Sequence, residues 1–447
     1  MPERFDTLLK GGTVVNQDGA YPRDVGLRDG RIAAIGPLDA RAAAEVIDCT
    51  GLHVLPGVID PHVHLREPGA EHKEDLQSGS LSAVMGGVTA FFEMPNTKPS
   101  TTTAEALADK VARASNRAYC DFAFYIGATR ENTDDLGRLE QLPGCCGVKL
   151  FMGASTGDLL IEDDAGVEAV LRTVSRRVAF HSEDEYRLNA RKSLRREGDP
   201  ASHSEWRDVE AAVLGTKRLV RLAQLTGKRI HVLHVTTARE MALLAQHRDV
   251  ATAEVTPQHL TLALPEAYER LGTKAQMNPP LRDRAELEGI WRWLAQGAGD
   301  TLGSDHAPHT VEEKAKPYPA SPSGMPGVQT LVPVMLNHVN AGHLTIERFV
   351  DLTAHGPQRV YGIANKGRLA IGYDADITVV DLKARRTITD DRIRSRCGWT
   401  PFAGHTVTGW PVGTIVRGIR VMWEDELLVE RGIGQPVRFQ EALAPRP

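Results

Sequence analysis

Between about Leu55 and Ala370, short apolar runs alternate with segments whose apolar residues recur at helical spacing. No other feature of the chain limits its fold as strongly. Eight runs read as strands: 54–60, 88–94, 121–127, 147–152, 177–181, 230–235, 249–255 and 300–304. Between them, 76–86, 103–115, 165–175, 207–226, 238–247 and 284–296 read as helices. Repeated βα units of this kind predict the α/β class, and eight of them suit a (β/α)8 TIM barrel. A doubly wound open sheet is the competing architecture. No GxGxxG turn follows the first strand, which counts against its dinucleotide-binding form.

The two ends of the chain read differently. Thr7–Val15, Val25–Gly36, Asp376–Asp381 and Val416–Met422 are strand-like runs bounded by Gly, Asn and Asp turns. Two β-rich ends around a different middle predict a small β-sandwich domain made of 1–54 and 371–447, with the barrel at 55–370.

Composition narrows the function. A net charge of −5 without a sustained basic stretch gives no reason to expect nucleic acid or a membrane surface as partner. The first residues lack the layout of a signal peptide, and no long apolar window suggests a membrane span. Five cysteines, Cys49, Cys120, Cys145, Cys146 and Cys397, form no paired framework, which predicts reduced thiols and a cytoplasmic protein. There is no CxxC pair. Any metal must therefore be held by imidazole and carboxylate.

His62 and His64 lie two positions apart at the end of a predicted strand, where side chains alternate, so both imidazoles face one way. Alone, such a pair is most often structural. His181 closes the run 177–180, His234 follows 230–233 and Asp305 follows 301–304, each where a strand should end. Barrel enzymes take their catalytic groups from those ends. Four histidines and an aspartate so placed predict a shared N/O metal site, for which zinc is the best-suited ion and Mn, Co, Ni or Fe are alternatives. Lys149 sits in the apolar run 147–152. Buried lysine is costly as a cation, so its amine either reaches solvent along a snorkelling stem or is neutral and able to capture carbon dioxide as a carbamate. A carbamate can bridge two cations.

Three segments carry a resemblance: Leu55-Pro56-Gly57-Val58-Ile59-Asp60 before the histidine pair, Gly303-Ser304-Asp305-His306-Ala307-Pro308-His309, and Gly367–Asp376. The whole chain resembles the amidohydrolase superfamily, in its dihydroorotase–hydantoinase–allantoinase branch. The resemblance implies two divalent metal ions. The first would take His62, His64, carbamylated Lys149 and Asp305; the second would take Lys149, His181 and His234. It also implies hydrolysis of a ring amide by an activated water, with Asp305 carrying the proton to the departing nitrogen.

His64-Leu65-Arg66-Glu67-Pro68-Gly69 resembles the dihydroorotase signature, in which the arginine holds a substrate carboxylate. A guanidinium binds a carboxylate through two parallel hydrogen bonds. Dihydroorotate carries a carboxylate; simple hydantoins do not. By the same resemblance Asn96 and His309 are further carboxylate contacts, and Asn278 meets the pyrimidine ring. Surface salt bridges or loop caps are the ordinary alternatives for these four. The resemblance thus implies a dihydroorotase in pyrimidine synthesis, with a hydantoinase or allantoinase as runner-up. Some relatives persist as inactive partners of aspartate transcarbamoylase, but they lack metal ligands that are all present here. A small-molecule substrate and a homodimer or higher homo-oligomer are expected, with or without that transcarbamoylase. Residues 306–327, rich in proline and without an obvious helix, are expected to form a lid.

Overall fold

The computed structural model describes residues 4–153 and 159–440; the outer ends of the expected sandwich segments, 1–3 and 441–447, lie outside them. The first strands are β1 (Phe5–Lys10), β2 (Thr13–Asn16), β3 (Gly19–Pro22), β4 (Asp24–Arg28), β5 (Arg31–Gly36), β6 (Ala43–Asp48) and β7 (His53–Pro56). The middle of the chain supplies β8 (Val58–Val63), β9 (Val88–Glu93), β10 (Asp121–Gly127), β11 (Cys145–Phe151), β12 (Val178–His181), β13 (Ile230–Val232), β14 (Ala251–Val255) and β15 (Thr301–Leu302). The end of the chain adds β16 (Ile377–Thr387), β17 (Thr406–Val416), β18 (Ile419–Trp423) and β19 (Glu426–Leu427).

β8 to β15 form one parallel sheet in sequence order. Past its last strand, the His64 amide donates to the His306 carbonyl at 2.7 Å, and Val63 bridges His306 in parallel, bringing the two edges together into a barrel. Every residue of β9, β10 and β11 is buried. Helices outside and side chains inside cover both faces of such strands, so the chain writes them as unbroken apolar runs. The six expected helices form within one or two residues of the predicted bounds, for example Leu76–Met85 behind an Asp75 capping box and Val209–Thr226 ended by left-handed Gly227.

The terminal segments build two sheets, ordered β5-β4-β1-β6 and β19-β18-β17-β16-β7-β2-β3. Leu9, Val25, Leu27 and Ile47 of the first share one core with Val14, Val54, Ile377 and Ile415 of the second. The result is the expected β-sandwich beside the barrel. The first predicted strand, 54–60, is divided. His53–Pro56 pairs with β16 and β2 in the terminal sheet, and the barrel strand starts only at Val58. Gly57 marks the crossing: its amide donates to the Asp376 carbonyl at 2.8 Å, and a Cβ there would collide with the Thr89 side chain. Residues 306–327 also differ from expectation, because they contain a one-turn helix, Val311–Lys314, closed by a Thr310–Glu313 capping box. None of the described helices is long and apolar enough to cross a membrane. All five cysteines are buried and unpaired.

Candidate metal centre and substrate cavity

The barrel brings the predicted metal ligands to one end. His62 lies in β8 and His64 just beyond it; Lys149 lies in β11 and His181 ends β12. His234 and Asp305 follow β13 and β15. The Nε2 atoms of His62 and His64 each stand 3.2 Å from Asp305 Oδ1, and the ligand atoms of these three residues lie within 4.8 Å of one another. Ring centroids run 5.4 Å from His64 to His62, 5.3 Å from His62 to His234 and 4.8 Å from His234 to His181. His181 Nδ1 faces His234 Nε2 at 3.1 Å. At that distance one nitrogen can donate to the other, and when both present lone pairs they call for a shared electron-pair acceptor. A cation is one.

The Lys149 Nζ atom completes the cluster. It is buried, has no hydrogen-bond partner among the described residues and lies 4.5 Å from the centre of the Phe151 ring. Burial lowers its pKa to about 7, against the pull of Glu254 and Asp305. An amine so placed spends much of its time neutral and nucleophilic near neutral pH, the state that captures carbon dioxide. Burial pushes the Asp305 carboxyl up, but His62 and His64 outweigh it and hold the pKa at about 2. The donor set of imidazoles, an orphaned amine and an ionised carboxylate fits hard or borderline divalent ions.

Backbone geometry points the same way. Arg66, His234 and Asp305 have φ of 65°, 37° and 44°, a left-handed region that costs most non-glycine residues energy. Strain of this kind persists where surrounding structure enforces it, commonly at functional sites.

Beside the cluster lies a small cavity, about 30 Å³, lined by His64, Arg66, Asn96, Asn278, Asp305, Ala307, Ser323 and Gly324. Arg66 Nε donates to the Pro308 carbonyl at 3.1 Å, and its Nη2 lies 3.2 Å from His309 Nε2. Among the described residues no carboxylate pairs with it. Burial lowers the Arg66 pKa to about 10, which still leaves it a cation. His309 is neutral: burial, Arg66 and Lys73 all push its pKa far down. Its Nδ1 lies 3.1 Å from Lys73 Nζ, and its Nε2, besides facing Arg66, lies 3.0 Å from the Ser323 carbonyl.

Several residues that sequence reasoning missed orient the ligands. Glu254 accepts from His62 Nδ1 at 2.7 Å. Glu183 accepts from His181 Nε2 at 2.7 Å and is itself paired with buried Arg207. Asn96, beyond lining the cavity, accepts from His64 Nδ1 at 2.7 Å. In each case one ring nitrogen is committed as donor, leaving the other with a lone pair toward the cluster. Asn278 is similarly set: His203 Nε2–H donates to its Oδ1 at 2.8 Å, so the amide NH2 is the group it can offer the cavity.

Fold and site together define the class, a (β/α)8 barrel with a hydrolytic constellation at its strand ends. Residues 53–421 match the model of the amidohydrolase family. A dihydroorotase of Halobacterium salinarum is 38% identical over 420 residues, covering 90% of this chain and 96% of that protein. An allantoinase of Solibacter usitatus is 34% identical, covering 97% of each. The solved L-hydantoinase of Arthrobacter aurescens superposes with a TM-score of 0.93 at 32% identity, covering 97% of this chain and 99% of that one. The chain belongs to the amidohydrolase family.

Proposed function

We propose that the chain is a dihydroorotase, interconverting (S)-dihydroorotate and N-carbamoyl-L-aspartate in the pathway to UMP. One observation carries this reading: Arg66, a guanidinium in the wall of the cavity beside Asp305, has no carboxylate partner among the described residues. A cation desolvated without a counter-ion is costly, and a substrate carboxylate would supply the missing charge through a bidentate pair.

The residues around it take the following roles. Arg66 holds the carboxylate, with Asn96 and His309 as neighbours of that group, and the Asn278 amide NH2 faces the ring. His62, His64, Lys149 as its carbamate and Asp305 would hold one divalent ion, most suitably zinc; Lys149, His181 and His234 would hold the second. Such ions lower the pKa of water and polarise a ring carbonyl. Asp305, ionised and within the cluster, accepts the water's proton and returns it to the departing ring nitrogen, and in the reverse direction runs the same transfer backwards.

A hydantoinase or allantoinase is the second reading, and the 0.93 TM-score to an L-hydantoinase favours it. It leaves Arg66 without an assigned partner. An inactive partner of aspartate transcarbamoylase is disfavoured, since all six proposed ligand side chains are present. Calorimetric titration of metal-loaded protein with orotate and with uracil, which differ in the carboxylate, tests the reading. Orotate should bind at least about 10-fold more tightly, the difference a charge-assisted pair supports. Equal affinity would argue for the second reading.

A further inference from the structure

Two segments of the cavity wall, one carrying Asn278 and the other Ser323 and Gly324, come from different loops and are held by one side chain. Lys314, the last residue of the one-turn helix, is fully buried. Its Nζ donates to the carbonyls of Gln276 at 3.1 Å, Pro322 at 2.8 Å and Gly324 at 3.0 Å. An ammonium has three donors, and all three are used. A neutral amine would turn a lone pair toward one of those oxygens.

The same segments are zipped together beneath it. The Gly324 amide donates to the Gln276 carbonyl at 2.9 Å, and Gln276 Nε2 donates to the Ser321 carbonyl and Ser323 Oγ. Gly324, at φ 131°, tolerates no Cβ, which would meet Ala307 and His309. On the other side of the helix Glu313 pairs with Lys73 and His72 at 3.2 Å each. The helix thereby ties the loops that follow β8 and β15 to the segment 276–278.

Charge adds a second observation. The charged groups that face Lys314 are Arg66 and Lys274, both cations; burial and these two lower its pKa to about 7, the three carbonyls favour its ammonium form, and among the described residues no carboxylate pairs with it. Like charges gathered in a poorly solvated corner repel unless an anion joins them.

We propose that Lys314 is a positioning residue for substrate specificity: it holds the Asn278 and Ser323–Gly324 wall in place and adds positive potential for the incoming carboxylate without touching it. The carboxylate part of this inference rests on the dihydroorotase reading; the wall part does not.

The test combines Lys314→Met and Lys314→Gln with wild type, all metal-loaded. Steady-state turnover of dihydroorotate should show KM raised by about 10-fold in Lys314→Met with kcat within about 2-fold, the signature of lost binding rather than lost chemistry. Lys314→Gln, which keeps two donors, should fall between. Hydrogen exchange of the Gly324 amide without substrate should be slow in wild type and at least ~10-fold faster in either folded variant, because the bond to Gln276 opens locally. Unchanged KM and unchanged exchange in a folded variant would overturn the proposal, as would fast Gly324 exchange in wild type. Wild type that turns over only uncharged rings defeats the substrate reading and removes the carboxylate part, while the exchange data still decide the wall.

Discussion

His62 Nδ1 and Glu254 Oε1 lie 2.7 Å apart in the closed interior of the barrel, where neither side chain reaches solvent. Glu254 lies in β14 and His62 in β8, so strands far apart in sequence meet around one ring. The carboxylate accepts a hydrogen bond from Nδ1–H and leaves the Nε2 lone pair toward the cluster. Glu254→Ala should therefore weaken metal binding by about 10–100-fold, measured by competition with a chelator. Glu254→Gln, which keeps an acceptor oxygen, should lose less. Unchanged affinity in Glu254→Ala would remove its role.

Arg66→Met keeps much of the side-chain volume and discards the charge. KM for dihydroorotate should rise by about 10–100-fold as the carboxylate contact is lost, with metal content unchanged because the six proposed ligand side chains remain. An unaltered KM would contradict the proposed contact.

Among the described residues the buried Lys149 amine has no hydrogen-bond partner. Lys149→Met should bind fewer than two metal ions per chain and lose at least ~100-fold in activity, as expected when a bridging ligand disappears. Intact-protein mass spectrometry under native, metal-loaded conditions should show wild type heavier by one carbon dioxide and the variant without it. Full metal content in the variant would contradict the bridge.

Two buried histidines outside the ligand set predict the acid limb of stability. Burial lowers His203 to about 3 and His259 to about 4, from 6.5 in an open chain. Below 6.5 the unfolded chain binds protons that the folded one refuses, so stability is complete above about 6.5 and declines as pH falls through about 4. At pH 5 each histidine should cost roughly 1–2 kcal/mol relative to pH 7. Denaturant melts of metal-free protein at the two pH values check this; His203→Gln should shrink the difference. Identical stability at both would contradict it.

The fold was legible because parallel barrel strands are apolar on both faces, and runs such as Cys145–Phe151 stand out without knowledge of their neighbours. The misplaced first strand shows the limit of that signal. Val54 and Leu55 are as buried as Val58 and Ile59, and only pairing with β16 assigns them to the other sheet. The short helix at Val311 had a local signal, the Thr310-x-x-Glu313 capping pattern, which a proline-rich context hid. The clustering of His62, His64, Lys149, His181, His234 and Asp305 was legible because each lies near or just past the C-terminal end of a barrel strand. Glu254, Glu183 and Arg207 were not, since their roles come from contacts across the barrel or along a loop, and no spacing rule encodes those. Lys314 reads in the chain as one charge in Glu312-Glu313-Lys314, an ordinary solvated face, until the fold buries it.

The Arg66 guanidinium, without a carboxylate partner among the described residues, is proposed to select a carboxylated ring. The direct measurement is kcat/KM of metal-replete protein for (S)-dihydroorotate hydrolysis and N-carbamoyl-L-aspartate cyclisation, beside allantoin and 5-substituted hydantoins. Preference for the carboxylated pair by at least about 100-fold is the predicted result, within what a desolvated bidentate contact can supply. Efficient turnover of hydantoins or allantoin without activity on dihydroorotate would contradict it.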